Sequence, residues 1–520
     1  MKRKTKNIWL GVLIGGMSVA AVGGAAALIN KKFNIINPLE KDQKFCAEVT
    51  FFGTDTDGIR GGDVVNYKAG INGERNDFDK VPIYKDIVRT YVGGEAIVHV
   101  PQFYVSHTTA GTLGEENYSE TWGVANYKKD STYEIPMAFY NAKKGLMDEF
   151  TLGAYKASIT QDGRKLVSKS GQIPKTNISL EDARPLAEAN GAHIAEQRKA
   201  DAVNILFMVE FATRDCQSVM KGLTYATDLY PANNSDIQVS GETDLLRFTV
   251  EEILELGIID GSEAKVLKYF APGSTFVVKD DNGEVDEIDR GHIESVTKKI
   301  IVDANEDEVE VFELKLDKNF DLDDWSSQGY PCFVMMDDTT GLTDKLKGSS
   351  CETKGLDGLR HMNYRGLEDW YGVYYEWVDG RFMKIHNHQH DGTEYSEIVE
   401  VFDYKNYKTC NTNDGEHEPT FEGAVVIGQA DVSGGIMTAV KVLEDAPGCI
   451  LPAAKGSNGY SDTVYYNSTN SNSETESFDS RVFYRGGSYY NGSGAGAFCV
   501  DRDDSSYYSR CHGFRLTYDN

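Results

Sequence analysis

Apolar residues recur along this chain in several distinct rhythms. The first is an uncharged run from Ile8 to Ile29, preceded by Lys2, Arg3, Lys4 and Lys6 and closed by Lys31 and Lys32. At about 1.5 Å per residue such a run spans roughly 30 Å, the thickness of a bilayer's hydrocarbon core. Basic residues ahead of it would hold that end in the cytoplasm and send the remainder outward. Residues 1–32 are therefore expected to be a retained membrane anchor. A cleaved signal, with Ala25-Ala26-Ala27 near the cut, and a Gly/Ala-rich segment buried in an assembly are the alternatives. Gly11 and Gly15 stand at GxxxG spacing, which would let two such helices pack and support a homo-oligomer.

The second rhythm is short and β-like. Residues 33–80 are polar and rich in Gly and Asp, a spacer with one strand-like stretch at Ala47–Phe52. From Pro82 onward, Ile87–Tyr91, Ala96–Val105 and Tyr133–Phe139 read as strands between polar turns. Helical spacing then takes over. Ser179 precedes Leu180 with Asp182 three residues on, a capping-box arrangement, and Gly191 terminates the segment. Ala202, Ile205, Leu206 and Val209 recur at helical spacing within Gln197–Thr213. Two helices followed by β-rich sequence predict an α+β domain with its helices gathered to one side. Residues 241–325 look inserted: a short helix at Val250–Leu256, then strands at Phe276–Val278, Ile300–Val302 and Val309–Leu316. The domain is thus expected in two parts, 81–240 and 326–520, around a small β-rich subdomain.

Composition narrows the partners. With 53 Lys and Arg against 81 Asp and Glu, the formal net charge is -28. Nucleic acid would be repelled in the absence of a basic groove. The eight cysteines, at 46, 216, 332, 351, 410, 449, 499 and 511, form no CxxC pair, and the balance favours reduced thiols. Asp281-Asn282-Gly283 and Asp55-Thr56-Asp57-Gly58 read as turns, since neither has the spacing of an EF-hand loop. His386-Asn387-His388-Gln389-His390-Asp391 could bring three imidazoles to one face of a strand, but a flat strand holds them too far apart for a metal, and an exposed turn or edge is expected. The stretch 455–477 is a Ser/Asn/Gly/Tyr-rich loop, in which Asn467 would be a glycosylation acceptor only in a eukaryotic secretory host. No cofactor motif and no metal site is expected.

Two blocks carry a resemblance. One runs Tyr364-Arg365-Gly366-Leu367-Glu368-Asp369-Trp370-Tyr371-Gly372 and on through Glu376-Trp377-Val378-Asp379-Gly380. The other is Arg485-Gly486-Gly487-Ser488, closed by Gly513-Phe514-Arg515-Leu516. Together with Ser179–Gly191 they resemble the C-type-lectin-like fold in its formylglycine-generating-enzyme branch, departing from it at Val373-Tyr374-Tyr375. Within that branch the chain is similar to the variable proteins of diversity-generating retroelements, found on bacterial surfaces and phage tail fibres. The tail-fibre likeness includes Val98-His99-Val100-Pro101-Gln102-Phe103-Tyr104. The resemblance implies a fixed scaffold with one terminal segment rewritten by mutagenic copying at adenines.

The window Ser488–His512 fits that implication. Asn codons altered at their two adenines cannot yield Lys, Glu, Gln, Met or Trp, and none of these occurs in it. Its composition is that of a paratope: tyrosine supplies large rigid contact area, while Ser, Gly and Asn adapt their hydrogen bonds. Tyr489, Tyr490, Tyr507 and Tyr508 are the expected anchors, with Asn491 and Gly494 beside them. Asp501, Arg502, Asp503, Asp504, Arg510 and His512 would set charge complementarity. Arg485, Gly486, Gly487, Gly513, Phe514 and Arg515 are expected to be scaffold, the arginines binding backbone carbonyls inside the fold.

The reading is a ligand-binding protein, membrane-anchored on a bacterial surface or carried on a virion tail, whose partner is a protein or glycan on another cell or host surface. Two alternatives stand beside it: an oxidase of the formylglycine-generating type using Cys499 and Cys511, which lack the enzymes' cysteine motif, and an invariant adhesin or virion part. No nucleophile elbow, P-loop or HExxH motif is present.

Overall fold

The computed structural model describes residues 43–255, 263–280, 289–327, 331–346, 348–351, 358–387, 394–407, 424–429, 435–443, 446–456, 463–464 and 477–518. The anchor expected over Ile8–Ile29, the turn at Asp281–Gly283, His388, His390 and Asn467 lie outside them. Among the described residues no helix is long and apolar enough to cross a membrane.

The expected α+β class, with the lectin-like gathering of helices to one side, gives way to a β-dominated architecture. Six α-helices stand against thirty-one strands among the described residues, and the sheets are almost entirely antiparallel. The reason is local. Strong helix signals are confined to 179–213, whereas many strands are two- or three-residue pieces too short to show alternation.

Those two helices form where the pattern places them. Leu180–Glu188 begins at Ser179, whose hydroxyl accepts from the Asp182 amide, and Gly191 follows at φ +69°, a conformation glycine adopts freely. Gln197–Phe211 ends at Ala212 in the left-handed region. It is buried from Gln197 through Glu210, so it runs through the core rather than along its surface. The stretch expected as one strand over Ala96–Val105 is two, Glu95–Pro101 and Tyr104–Ala110, broken at Gln102-Phe103. Tyr133–Phe139 is not a strand: Pro136 starts a 3-10 turn at Met137–Phe139, where its missing N–H costs nothing.

Residues 228–334 hold a six-stranded antiparallel sheet ordered Asp228–Leu229, Cys332–Val334, Thr275–Lys279, Asp289–Val302, Glu308–Phe320 and Thr243–Thr249. Its own core includes Leu246, Phe248, Phe276, Phe312, Leu314 and Phe333. The largest sheet has Tyr375–Asn387 and Ser477–Arg485 near its middle, paired antiparallel, with Val500–Asp503 beside the latter. His512–Phe514 pairs in parallel with Tyr375–Trp377, and Leu516–Thr517 closes on His193–Ile194. These contacts lock both ends of the carboxy-terminal window into sheets.

Candidate binding face at the carboxy terminus

The frame is built around one buried carboxylate. Glu376 receives Arg485 Nη1 at 2.8 Å, Arg515 Nε at 2.9 Å and Lys156 Nζ at 3.0 Å. Burial alone would raise its pKa, but Arg515, Lys156 and Arg485 outweigh that and hold it down at about 2. Arg515 also donates to the carbonyls of Gly153, Ala154, Glu368 and Asp369, at 2.8, 3.0, 2.7 and 3.3 Å. One guanidinium thereby ties the last strands to two separate turns. Arg485 lies over the Trp370 ring at 4.0 Å. Gly486 and Gly487 both take positive φ, and a Cβ at Gly487 would stand 2.5 Å from that of Ala495. The Arg485–Gly487 and Gly513–Arg515 segments are therefore fixed by packing.

Between these fixed ends the window sorts its residues inward and outward. Tyr490, Tyr507 and Tyr508 are exposed, at 45%, 41% and 52%. Asn491, Gly494, Asp501, Arg502, Asp503 and Asp504 are half-buried. Tyr489, Arg510 and His512, expected on the surface, are instead withdrawn from solvent. Tyr489 and Tyr490 are chain neighbours, and only the first turns into the core. Asn491 is partly structural, because its side-chain oxygen accepts from both the amide and the hydroxyl of Ser488 at 2.7 Å.

Asp228, on the first strand of the six-stranded sheet, explains two of the buried residues. One of its oxygens accepts from the Tyr489 hydroxyl and the other from Arg510 Nη2, both at 2.8 Å. Arg510 also reaches the Tyr230 hydroxyl at 3.1 Å. A single carboxylate thus holds two residues near opposite ends of the window.

The third buried residue sits among aromatic rings. The His512 imidazole stacks on Tyr375 with centroids 5.1 Å apart, lies 5.3 Å from Trp377, and meets Tyr484 and Tyr507 edge-on at 4.4 and 5.5 Å. Strand register produces the cluster: Tyr375 is opposite His512, Trp377 opposite Tyr484, and Tyr484 opposite Asp501. Neither His512 ring nitrogen nor Trp377 Nε1 has a hydrogen-bond partner among the described residues. Burial pushes the His512 pKa down to about 3. Burial likewise pushes Asp501 up to about 6, against the opposing hydrogen bonds from the Arg502 amide and the Tyr484 hydroxyl. Asp504 pairs with Arg481 at 3.1 Å.

Sequence reasoning missed Tyr375, Trp377, Tyr484 and Asp228. The alternation of Tyr375 and Trp377 on one strand carries a signal for the first two. Asp228 has none, being 261 residues from Tyr489.

Cys46, Cys216, Cys332, Cys449, Cys499 and Cys511 are buried and form no disulfide among the described residues. Cys499 and Cys511 belong to different core clusters. Burial, with Asp228 next, pushes the Cys511 thiol up to about 11. His386 lies on the strand Tyr375–Asn387, and no group of three metal-ligating side chains occurs among the described residues. No protein-family model matches the chain, and none of the curated proteins matches it in sequence.

Proposed function

We propose that this chain is a displayed binding protein, for a bacterial surface or a virion tail, whose residues 488–512 are a variable recognition segment on an invariant frame. This is what its resemblance to retroelement-diversified variable proteins implies. The observation that carries the reading is the contrast within one short stretch. Arg485–Gly487 and Gly513–Arg515 are buried, with both arginines bonded to Glu376, while Tyr490, Tyr507 and Tyr508 between them stand in solvent. Exposed tyrosines with few torsions to freeze, flanked by Ser, Gly and Asp, form a surface on which side chains can be exchanged without disturbing the core. The partner is a macromolecule on another cell or host surface. An oxidase using Cys499 and Cys511 is less well supported, because a thiol pushed up to about 11 stays protonated at neutral pH and is a poor nucleophile.

Sequencing the locus in sibling isolates tests the proposal. Substitutions are expected to gather at Tyr490, Asp501–Asp504 and Ser506–Tyr508 while Arg485–Gly487 and Gly513–Arg515 stay constant. A neighbouring reverse transcriptase with a near-copy of the segment is expected as well. A segment identical in all isolates, or substitutions scattered evenly along the chain, would leave an invariant adhesin or virion part as the better description.

A further inference from the structure

We infer that a cleft between the six-stranded sheet and the central block is a second binding site, suited to a small carboxylate with an apolar body whose charge Lys268 and Arg360 meet. No residue of 488–512 lines it, so it stands whether or not those residues vary.

The cleft encloses about 470 Å³, a volume within the range of small-molecule sites. One wall belongs to the sheet. Lys268 stands near the end of the helix Glu263–Tyr269, and residues 271–274 lead from it into the strand Thr275–Lys279. Met335, Met336 and Asp337 follow the neighbouring strand Cys332–Val334. The other wall is Leu223 with residues 359–361. It is tied to the central block, because the Val373 amide donates to the Leu223 carbonyl and His361 Nδ1 bonds Asp369 at 2.7 Å. Both walls are fixed by the chain's own bonds. The Gly273 amide donates to the Ile293 carbonyl, and the Ile293 amide to that of Ser274. Leu223 bridges Leu359, and His361 Nε2 bonds the Asp337 carbonyl, which joins one wall to the other.

The lining sets the ligand's chemistry. Leu223, Met335 and Met336 are buried and Leu342 is half-buried. A bare inorganic anion leaves such a surface uncovered, whereas a hydrocarbon fills it, and methionine adapts to irregular shapes. The charges of the lining do not balance. Asp337 is taken by Arg290 at 3.0 Å. Burial would lower the His361 pKa, but Asp369 outweighs it and holds it up at about 9, so these two cancel as a charged pair. Lys268 and Arg360 remain, both exposed and neither with a carboxylate partner among the described residues. In a chain of net charge -28, a cleft whose uncompensated charges are both positive differs from the surface around it. Guanidinium and ammonium each form charge-assisted hydrogen bonds to a carboxylate. An amine would meet two like charges here, and a neutral ligand would leave both cations unused.

The test is isothermal titration calorimetry of the full chain with sodium octanoate, hexanoate, acetate, phosphate and octylamine at about 0.15 M salt, where long-range charge is screened. Octanoate is expected to bind about tenfold more tightly than hexanoate, the scale of two further buried methylenes. Acetate, phosphate and octylamine are expected to bind more weakly than either. Lys268→Gln with Arg360→Gln should weaken octanoate about tenfold, the scale of one desolvated charge-assisted bond. Lys143→Gln with Lys144→Gln removes the same charge from other exposed positions and should change it less than about twofold. With carbon-13 in the methionine methyls, octanoate should shift the resonances that disappear in Met335→Leu and Met336→Leu. Failure of octanoate to bind would overturn the inference, as would octylamine binding equally well, which would show no recognition of charge. Acetate or phosphate matching octanoate would reduce the site to a plain anion contact and overturn it too. So would equal weakening by both double variants, or methyl resonances at 335 and 336 that do not move. None of these outcomes bears on where substitutions gather among isolates, so the variable-face reading can survive the loss of this one.

Discussion

His512 and Asp501 are both buried against their own ionisation, and pH acts on them in opposite directions. In the unfolded chain the imidazole takes a proton near its ordinary 6.5, but in the folded protein only near 3. Between those values the unfolded chain holds the extra proton, so acid destabilises the fold by up to about 1.4 kcal/mol per pH unit. Asp501 behaves inversely. Its folded pKa of about 6 exceeds its ordinary 3.8, so its protonated form stabilises the fold below 3.8, and that contribution is lost as pH rises through 6. His512→Phe should flatten the fall in melting temperature between pH 6.5 and about 4. At neutral pH it should add about 1–2 kcal/mol by removing two unsatisfied buried nitrogens. A variant whose melting curve tracks the parent's down to pH 4 would show that the imidazole is not buried neutral. Asp501→Asn should stabilise at pH 7, by about 1–2 kcal/mol since Asp501 is only half-buried, and should bring no gain at pH 4. Thermal unfolding across that range reads both effects.

At the scale of elements, the window is a loop held at its neck. Asp228 takes Tyr489 with one oxygen and Arg510 with the other, so removing it breaks both bonds and takes a carboxylate away from a buried guanidinium that keeps its bond to the Tyr230 hydroxyl. Asp228→Ala should cost about 3 kcal/mol and should raise amide exchange across 488–511. The hairpin formed by Asp289–Val302 and Glu308–Phe320 should exchange as before. Unchanged exchange in the window would mean that the sheets alone hold it. This neck was not legible in the sequence, because nothing near Asp228 marks it as the partner of residues so far along the chain. Elements that depend on neighbouring residues were legible: the Ser179 cap, the helical spacing of Ala202 to Val209, and the glycines that need positive φ. Of the frame's two arginines, Arg515 binds the backbone carbonyls expected of it, whereas Arg485 donates to the Glu376 carboxylate instead. What the sequence concealed is sidedness. Tyr489 and Tyr490 are equivalent as letters, and only the folded contacts that bring Asp228 and the Val373 carbonyl to Tyr489 set which tyrosine turns inward. The β-dominated class was hidden for a related reason, since two-residue strands such as Leu516–Thr517 exist only through their pairing.

At the scale of the whole molecule, the question is whether the six-stranded sheet is an appendage or part of the frame. Val277 and Val334 of that sheet share a buried cluster with Val373 and Tyr374 of the central block and with Tyr489 and Cys511 of the window. Beside this apolar contact, Lys279 donates to Asp338 at 2.7 Å and to the Tyr374 hydroxyl at 2.8 Å, while Arg290 and the Tyr374 hydroxyl also bond Asp338. Lys279 and Asp338 are both fully buried side chains. Burial would raise the Asp338 pKa, but Lys279 and Arg290 outweigh it and hold the carboxyl well below its usual range. A buried network of this kind adds little to net stability beside an apolar contact of the same size, but breaking one member leaves the others uncompensated. The sheet and the frame should therefore unfold together, giving a single calorimetric transition for the full chain. Lys279→Ala should cost about 3–5 kcal/mol at this junction and split the transition, the frame retaining the higher melting temperature. It should also loosen the window, because Tyr374 packs edge-on to Tyr489 at 6.3 Å. A Lys279→Ala protein that still melts in one step, with the window's amide exchange unchanged, would show that the apolar cluster alone joins the two bodies.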